Sequence, residues 1–120
     1  ATLEHVLTDE AFAGMIALSD RFAAGVQRVF DTYAAPWSVT QLGARSEYRF
    51  TPTPPRNGTQ AHEATDLELD DYFHIYLANR GVLLTPFHNM ALMSPATTQD
   101  QVDEHLVHFE AAVAELLTGN

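Results

Sequence analysis

The stretch Trp37-Ser38-Val39-Thr40-Gln41-Leu42-Gly43-Ala44-Arg45-Ser46-Glu47-Tyr48-Arg49-Phe50-Thr51 decides what kind of fold this chain adopts. Val39, Thr40, Tyr48, Phe50 and Thr51 are strand formers, and Gly43 falls in the middle as a bend or bulge. The stretch therefore predicts two short strands or one bent one. On an unbroken strand the two-residue period sends Arg45, Glu47 and Arg49 to one face and Leu42, Ala44, Tyr48 and Phe50 to the other.

The flanks are helical. Thr8 is suited to cap a helix whose first turn holds Asp9 and Glu10, where carboxylates favour the dipole. Phe12, Met15, Ile16, Ser19, Phe22, Ala23, Val26, Val29, Phe30 and Tyr33 recur at three- and four-residue steps, and Thr2 to Leu7 forms a separate turn before them. Pro36 ends the helix by pushing Ala35 out of the α region. On the far side, Pro52 to Gly58 is a surface loop. Thr65-Asp66-Leu67-Glu68 fits a capping box for a helix carrying Leu69, Phe73, Tyr76, Leu77 and Arg80, which stops at Gly81. Val82-Leu83-Leu84 and Ala91-Leu92-Met93 read as short strands. Thr98 to Gln101 caps a last helix that buries Val102, Leu106, Phe109, Val113 and Leu116. The order predicts a single α+β domain over residues 1–120, with a small antiparallel or mixed sheet packed against three main helices in two layers.

Composition bounds the function. A chain of 120 residues, 46% hydrophobic and 18% charged, has the makings of a packed core. Acids outnumber bases 16 to 6, and the formal charge of −10 argues against nucleic acid or an anionic membrane as partner. No apolar run approaches the roughly 20 residues of a membrane span, and no signal peptide opens the sequence, so the expected location is cytoplasmic. Without cysteine there is no disulfide, thiolate metal site or thiol catalysis. Every base is an arginine, so no lysine is present to form a Schiff base.

Arg45, Arg49 and Arg56 lie within twelve residues of one another. In an acidic chain such a cluster is the natural receptor for a carboxylate, which guanidinium grips bidentately. The structural alternative is a cross-strand ion pair with Glu47, or solvation. His105 and His108, three apart, and Asp70 and His74, four apart, each share a helix face, but no third ligand follows, so surface or interface histidines are expected and no metal. Asp70-Asp71 and Asp103-Glu104 read as solvated faces. Thr85-Pro86-Phe87-His88-Asn89-Met90 is too short to bury its own side chains. Either Phe87 packs inward, or the segment is a rim presenting His88 and Asn89 to a site shared with another domain. No catalytic elbow or triad is present.

The sequence Gly81-Val82-Leu83-Leu84-Thr85-Pro86, followed by Thr98-Gln99-Asp100-Gln101-Val102-Asp103, resembles the C-terminal small domain of class III pyridoxal-phosphate aminotransferases of fold type I. Within them it is similar to the branch of glutamate-1-semialdehyde aminomutase and the β-amino-acid aminotransferases. The resemblance covers nearly the whole chain. It implies a parent enzyme that moves an amino group between an amino acid and a keto acid, or an aminomutase, with pyridoxal phosphate held by a missing large domain and a homodimeric assembly. This chain would be non-catalytic alone, binding no cofactor covalently through a side chain. It would contribute closure and substrate-binding residues: Arg45 first, or Arg49, for the substrate carboxylate, and His88 and Asn89 where semialdehyde aminomutases carry a serine-containing turn. That departure points towards a β-amino-acid or related aminotransferase. Two other readings use the same residues: a free-standing α+β module binding a small acidic metabolite, and a structural dimerisation domain. A severed domain should expose a large apolar face; a natural module should not.

Overall fold

The computed structural model describes residues 1–119. Eight elements follow in order: α1 (Thr2–His5), α2 (Asp9–Tyr33), β1 (Ser38–Leu42), β2 (Arg45–Arg49), α3 (Gly58–Glu63), α4 (Leu67–Ala78), β3 (Met90–Leu92) and α5 (Gln99–Thr118). The strands form one antiparallel sheet in the order β1-β2-β3. One face is covered by helices, which gives the two-layer α+β domain that the pattern predicts. Among the described residues no helix is long and apolar enough to cross a membrane.

The punctuation is largely where the sequence puts it. Thr8 accepts from the Ala11 amide, and Thr98 and Gln101 close a full capping box. Helix α2 ends in a Schellman motif: Ala34 takes the left-handed conformation (φ 51°), and the Ala35 and Ala34 amides bond back to Phe30 and Asp31. Gly81 (φ 82°) plays the same part after α4, with the Val82 and Gly81 amides bonded to Leu77 and Ala78.

Several expectations shift. The cap of α4 is Asp66, accepting from the Leu69 amide at 3.1 Å, because the Thr65 hydroxyl is spent on the Ala61 carbonyl. That carbonyl belongs to α3, a helix capped by Asn57 that the proline-rich reading missed. Val82–Leu84 forms no strand and joins no ladder. Pro86 turns the chain directly after it, and only the Thr85 amide reaches across, to Met90. Leu116 near the end of α5 is exposed rather than buried, and so are Phe12 and Ile16 in the first half of α2.

The core is aromatic. Phe30, Trp37, Tyr48, Phe50, Phe73 and Phe109 form a network with ring centroids 4.9–6.3 Å apart, mostly edge to face. It gathers residues of α2, β2, α4 and α5 around Tyr48. Next to it, the Ser19 and Ser46 hydroxyls meet at 2.7 Å, so α2 and β2 satisfy each other's buried polar groups. Gly25 lets α2 approach α5 so closely that a Cβ there would collide with the Leu106 side chain. At the surface, Arg21 and Asp103 form a bidentate pair across the same two helices, and that hydrogen bond holds the Asp103 carboxyl below its ordinary range. Asp103 is therefore a tie between helices rather than part of a merely solvated face.

His105 corrects the expectation of surface histidines. It is buried between Phe22 (4.6 Å) and Phe109 (5.4 Å), and neither ring nitrogen has a hydrogen-bond partner. Its position, three and four residues from Val102 and Phe109, places it on the inner stripe of α5, which outweighs its polarity. Burial, aided by His108, pushes its pKa down to about 3.

Two stability predictions follow from the core. The Tyr48 hydroxyl is buried and unpartnered, so Tyr48→Phe should stabilise the chain by about 1 kcal/mol in denaturant titrations. Between its folded pKa near 3 and the ordinary 6.5, His105 is neutral when folded and protonated when unfolded. Stability therefore falls as pH drops below 6.5, by about 1.4 kcal/mol per pH unit from this group. His105→Leu should gain about 2 kcal/mol relative to the wild type when unfolding is measured at pH 5 instead of pH 7.

Candidate functional site

The hairpin sets the site. A two-residue turn, Gly43-Ala44, joins β1 to β2, with Gly43 at φ 57° as the first position of a II′ turn requires. Leu42 is consequently the cross-strand partner of Arg45 and shares its face. This corrects the unbroken-strand expectation, which put Leu42 opposite the arginines. With Tyr48 and Ser46 pointing inward, Arg45, Glu47 and Arg49 line up on the sheet face that no helix covers.

Glu47 sits at the centre of that face, only 8% exposed. Arg45 Nη2 donates to Glu47 Oε2 at 2.8 Å, and Arg45 Nε reaches Met90 Sδ at 2.6 Å. On the other side Arg49 Nη2 lies 2.8 Å from Oε1, and His88 Nδ1 lies 3.5 Å from the same atom. Neither contact to Oε1 has hydrogen-bond alignment, so that oxygen is held by charge proximity alone. The structural alternative read for this cluster, ion pairing with Glu47, is thus present. Yet both guanidiniums are partly exposed and keep further N–H donors for an incoming acceptor.

Arg49, His88 and Asn89 line one small cavity of about 240 Å³ together with Phe87, Asp70 and residues of α3. Arg45 lies beyond Glu47, in a separate recess of about 130 Å³ with Thr40, Gln41 and Leu42. Arg56 is in the loop before α3, its amide bonded to Gln60, and it joins neither cavity. The cluster of three is therefore divided.

The 85–89 segment is pinned from α4. His74 Nε2 donates to the His88 carbonyl at 3.0 Å, and Asp70 accepts from the Asn89 amide at 2.5 Å. The Tyr48 amide also donates to the Asn89 carbonyl, at 3.1 Å. The helical pair Asp70 and His74 does share a face, as its spacing predicts, and that face holds this turn. Asp70 is accordingly not part of a solvated face. Among the described residues no group of three His, Asp or Glu is placed to hold a metal ion. Asn89 is buried, with its Oδ1 unpartnered, while His88 stays half-exposed.

Of the two alternatives for this segment, the inward-packing Phe87 does not hold. Rather than packing inward it is 97% exposed, and it adopts φ 64°, a conformation that costs a bulky residue about 1–2 kcal/mol. The cause is the turn Thr85–His88, closed by the His88 amide on the Thr85 carbonyl at 3.2 Å. Pro86 fills its second position, and the positive φ of Phe87 at the third makes it a turn of type II character, where glycine is the favoured residue. The sequence reading named Glu47 as an ion-pair partner and left the direction of Phe87 open; it did not place Glu47 at the centre between the two arginines or Phe87 almost fully in solvent. The arginines at i−2 and i+2 on a strand were the signal for the first, and Pro86 at the second position of a turn for the second.

No protein-family model and no curated protein matches this chain. Among solved structures, a glutamate-1-semialdehyde-aminomutase from Pseudomonas aeruginosa PAO1 superposes with a TM-score of 0.94 at 44% sequence identity, over 97% of this chain. A variant of that protein in complex with PMP gives the same values. The resemblance to a class III aminotransferase domain stands. An omega-transaminase from Sphaerobacter thermophilus follows at TM-score 0.72 and 22% identity over 89% of this chain, a likeness of fold. The chain spans about a quarter of the length of these structures, 26% and 24%.

Because Phe87 buries almost nothing here, Phe87→Gly should relieve the turn and stabilise the chain by about 0.5–1 kcal/mol in thermal or denaturant unfolding.

Proposed function

We propose that this chain is the C-terminal small domain of a larger class III pyridoxal-phosphate aminotransferase or aminomutase, in which it closes over the substrate and binds its carboxylate. The observation that carries this reading is the 44% identity to an aminomutase across 97% of the chain. In the parent the cofactor would serve as the electron sink for amino-group transfer between amino and keto acids. This chain's residues do not fit as its holder: with arginine as its only base it has no side-chain amine to attach the cofactor, so the large domain would hold it. A cytoplasmic, homodimeric parent belongs to the same reading.

Exposed apolar surface favours a severed domain over a free-standing module for an acidic metabolite. Leu42 (78%), Leu83 (84%), Leu92 (58%) and Phe87 lie open on or beside the uncovered sheet face and the 82–88 segment. For the carboxylate we place Arg49 before Arg45, because Arg49 shares its cavity with His88 and Asn89. Arg45 supports the site from behind Glu47, and His88 offers a further donor at the rim.

Sequencing the coding DNA upstream of Ala1 tests the assignment. It should reveal an in-frame stretch of roughly two further domain-lengths with an aldimine lysine; a start codon immediately before Ala1 would remove the transaminase reading. In the parent, Arg49→Gln should raise KM for the carboxylate substrate about 10- to 100-fold, the range for losing a hydrogen bond to a charged group. Unchanged kinetics would take Arg49 out of the site.

A further inference from the structure

We propose that Glu47 sets the charge selectivity of this site, making it a receptor for a single carboxylate and disfavouring dicarboxylates. The inference deepens the carboxylate-binding reading above and rests on it. Its basis is the charge balance on the uncovered face. Two guanidiniums flank one carboxylate, 2.8 Å away on either side, which leaves a net charge of +1 spread over Arg45, Glu47 and Arg49.

Glu47 is placed by the fold to divide the two cations. It follows Ser46 and precedes Tyr48 on β2, both of which are fully buried towards the helices. Its own side chain must therefore emerge on the opposite face, midway between Arg45 and Arg49. One oxygen is committed to Arg45 and the other faces Arg49 and His88. Arg45 is held in its own recess by this bond and by Met90, away from the Arg49 cavity.

A ligand entering the Arg49 cavity thus meets one guanidinium, Arg49, opposed by Glu47 on one side and by Asp70, which is bonded only to the neutral Asn89 side chain, on the other. A first carboxylate takes that guanidinium. A second carboxylate on the same ligand would lie against Glu47 with no free cation to meet it, losing hydration without a partner. The overall charge of −10 adds a longer-range bias against dianions. Replacing Glu47 by glutamine frees both guanidiniums while keeping the side chain's size, and the second carboxylate then gains a partner.

The test titrates the 120-residue chain, its amides and the His88 ring followed by NMR, with propionate and with succinate at equal ionic strength. The wild type should bind propionate at the Arg49–His88 cavity more tightly than succinate. Glu47→Gln should shift the succinate-to-propionate affinity ratio towards succinate by about tenfold, one decade being about 1.4 kcal/mol. Arg45→Gln, which leaves Glu47 paired with Arg49 alone, should move the ratio the opposite way, and it decides the matter if the buried Glu47→Gln change prevents folding. A ratio unmoved by both variants overturns the role of Glu47 while leaving carboxylate binding intact. Arg49→Gln failing to weaken propionate, or no response at the cavity to either ligand, overturns the carboxylate reading itself and this inference with it.

Discussion

The burial of Tyr48 is the constraint on which the rest of this structure depends. Its ring is fully enclosed by Phe30, Phe50, Phe73 and Phe109, side chains brought from α2, the end of β2, α4 and α5. Each aromatic contact contributes about 0.5–1.5 kcal/mol beyond the area it buries, so β2 cannot rotate or slip without surrendering several at once. A one-residue slip would exchange Tyr48 for Glu47 on the core side, which no part of that apolar pocket can accept. The same constraint that closes the core therefore aims Arg45, Glu47 and Arg49 at the opposite face.

From there the site is assembled by elements distant in sequence. Asp70 and His74 on α4 fix the Asn89 side chain and the His88 carbonyl, and the backbone of Tyr48 holds the Asn89 carbonyl. The turn they hold forces Phe87 into a strained, exposed position. That position places an exposed aromatic ring at the edge of a charged cavity. The exposed leucines on the same side are of a piece with that arrangement.

Much of this was legible beforehand, for physical reasons that can be named. The helical stripes of α2 and α5 are long enough for periodicity to speak, and Thr8, Gly81 and Thr98 punctuate them with local hydrogen bonds that need no distant partner. Where the reading strayed, a local signal lost to a tertiary one. Val82–Leu84 has strand composition but no neighbouring strand to pair with, and His105 is polar yet occupies an inner position of a helix. Leu42 went to the wrong face because a hairpin turn, unlike a bend, resets the alternation.

The sequence by itself determined the α+β class, the three main helices with the caps of α2 and α5, and the gathering of arginines on one short strand. These follow from spacing, capping and turn chemistry, which act over a few residues. Only the tertiary structure decided that Glu47 stands between Arg45 and Arg49, that Arg49, His88 and Asn89 share a cavity which Arg45 does not, and that Phe87 faces outward. Those outcomes hang on contacts between β2, β3, α4 and the 85–89 turn, segments up to forty-five residues apart in the case of Arg45 and Met90. Such pairings are chosen by the packing of the aromatic core around Tyr48, and no window of the chain contains that information.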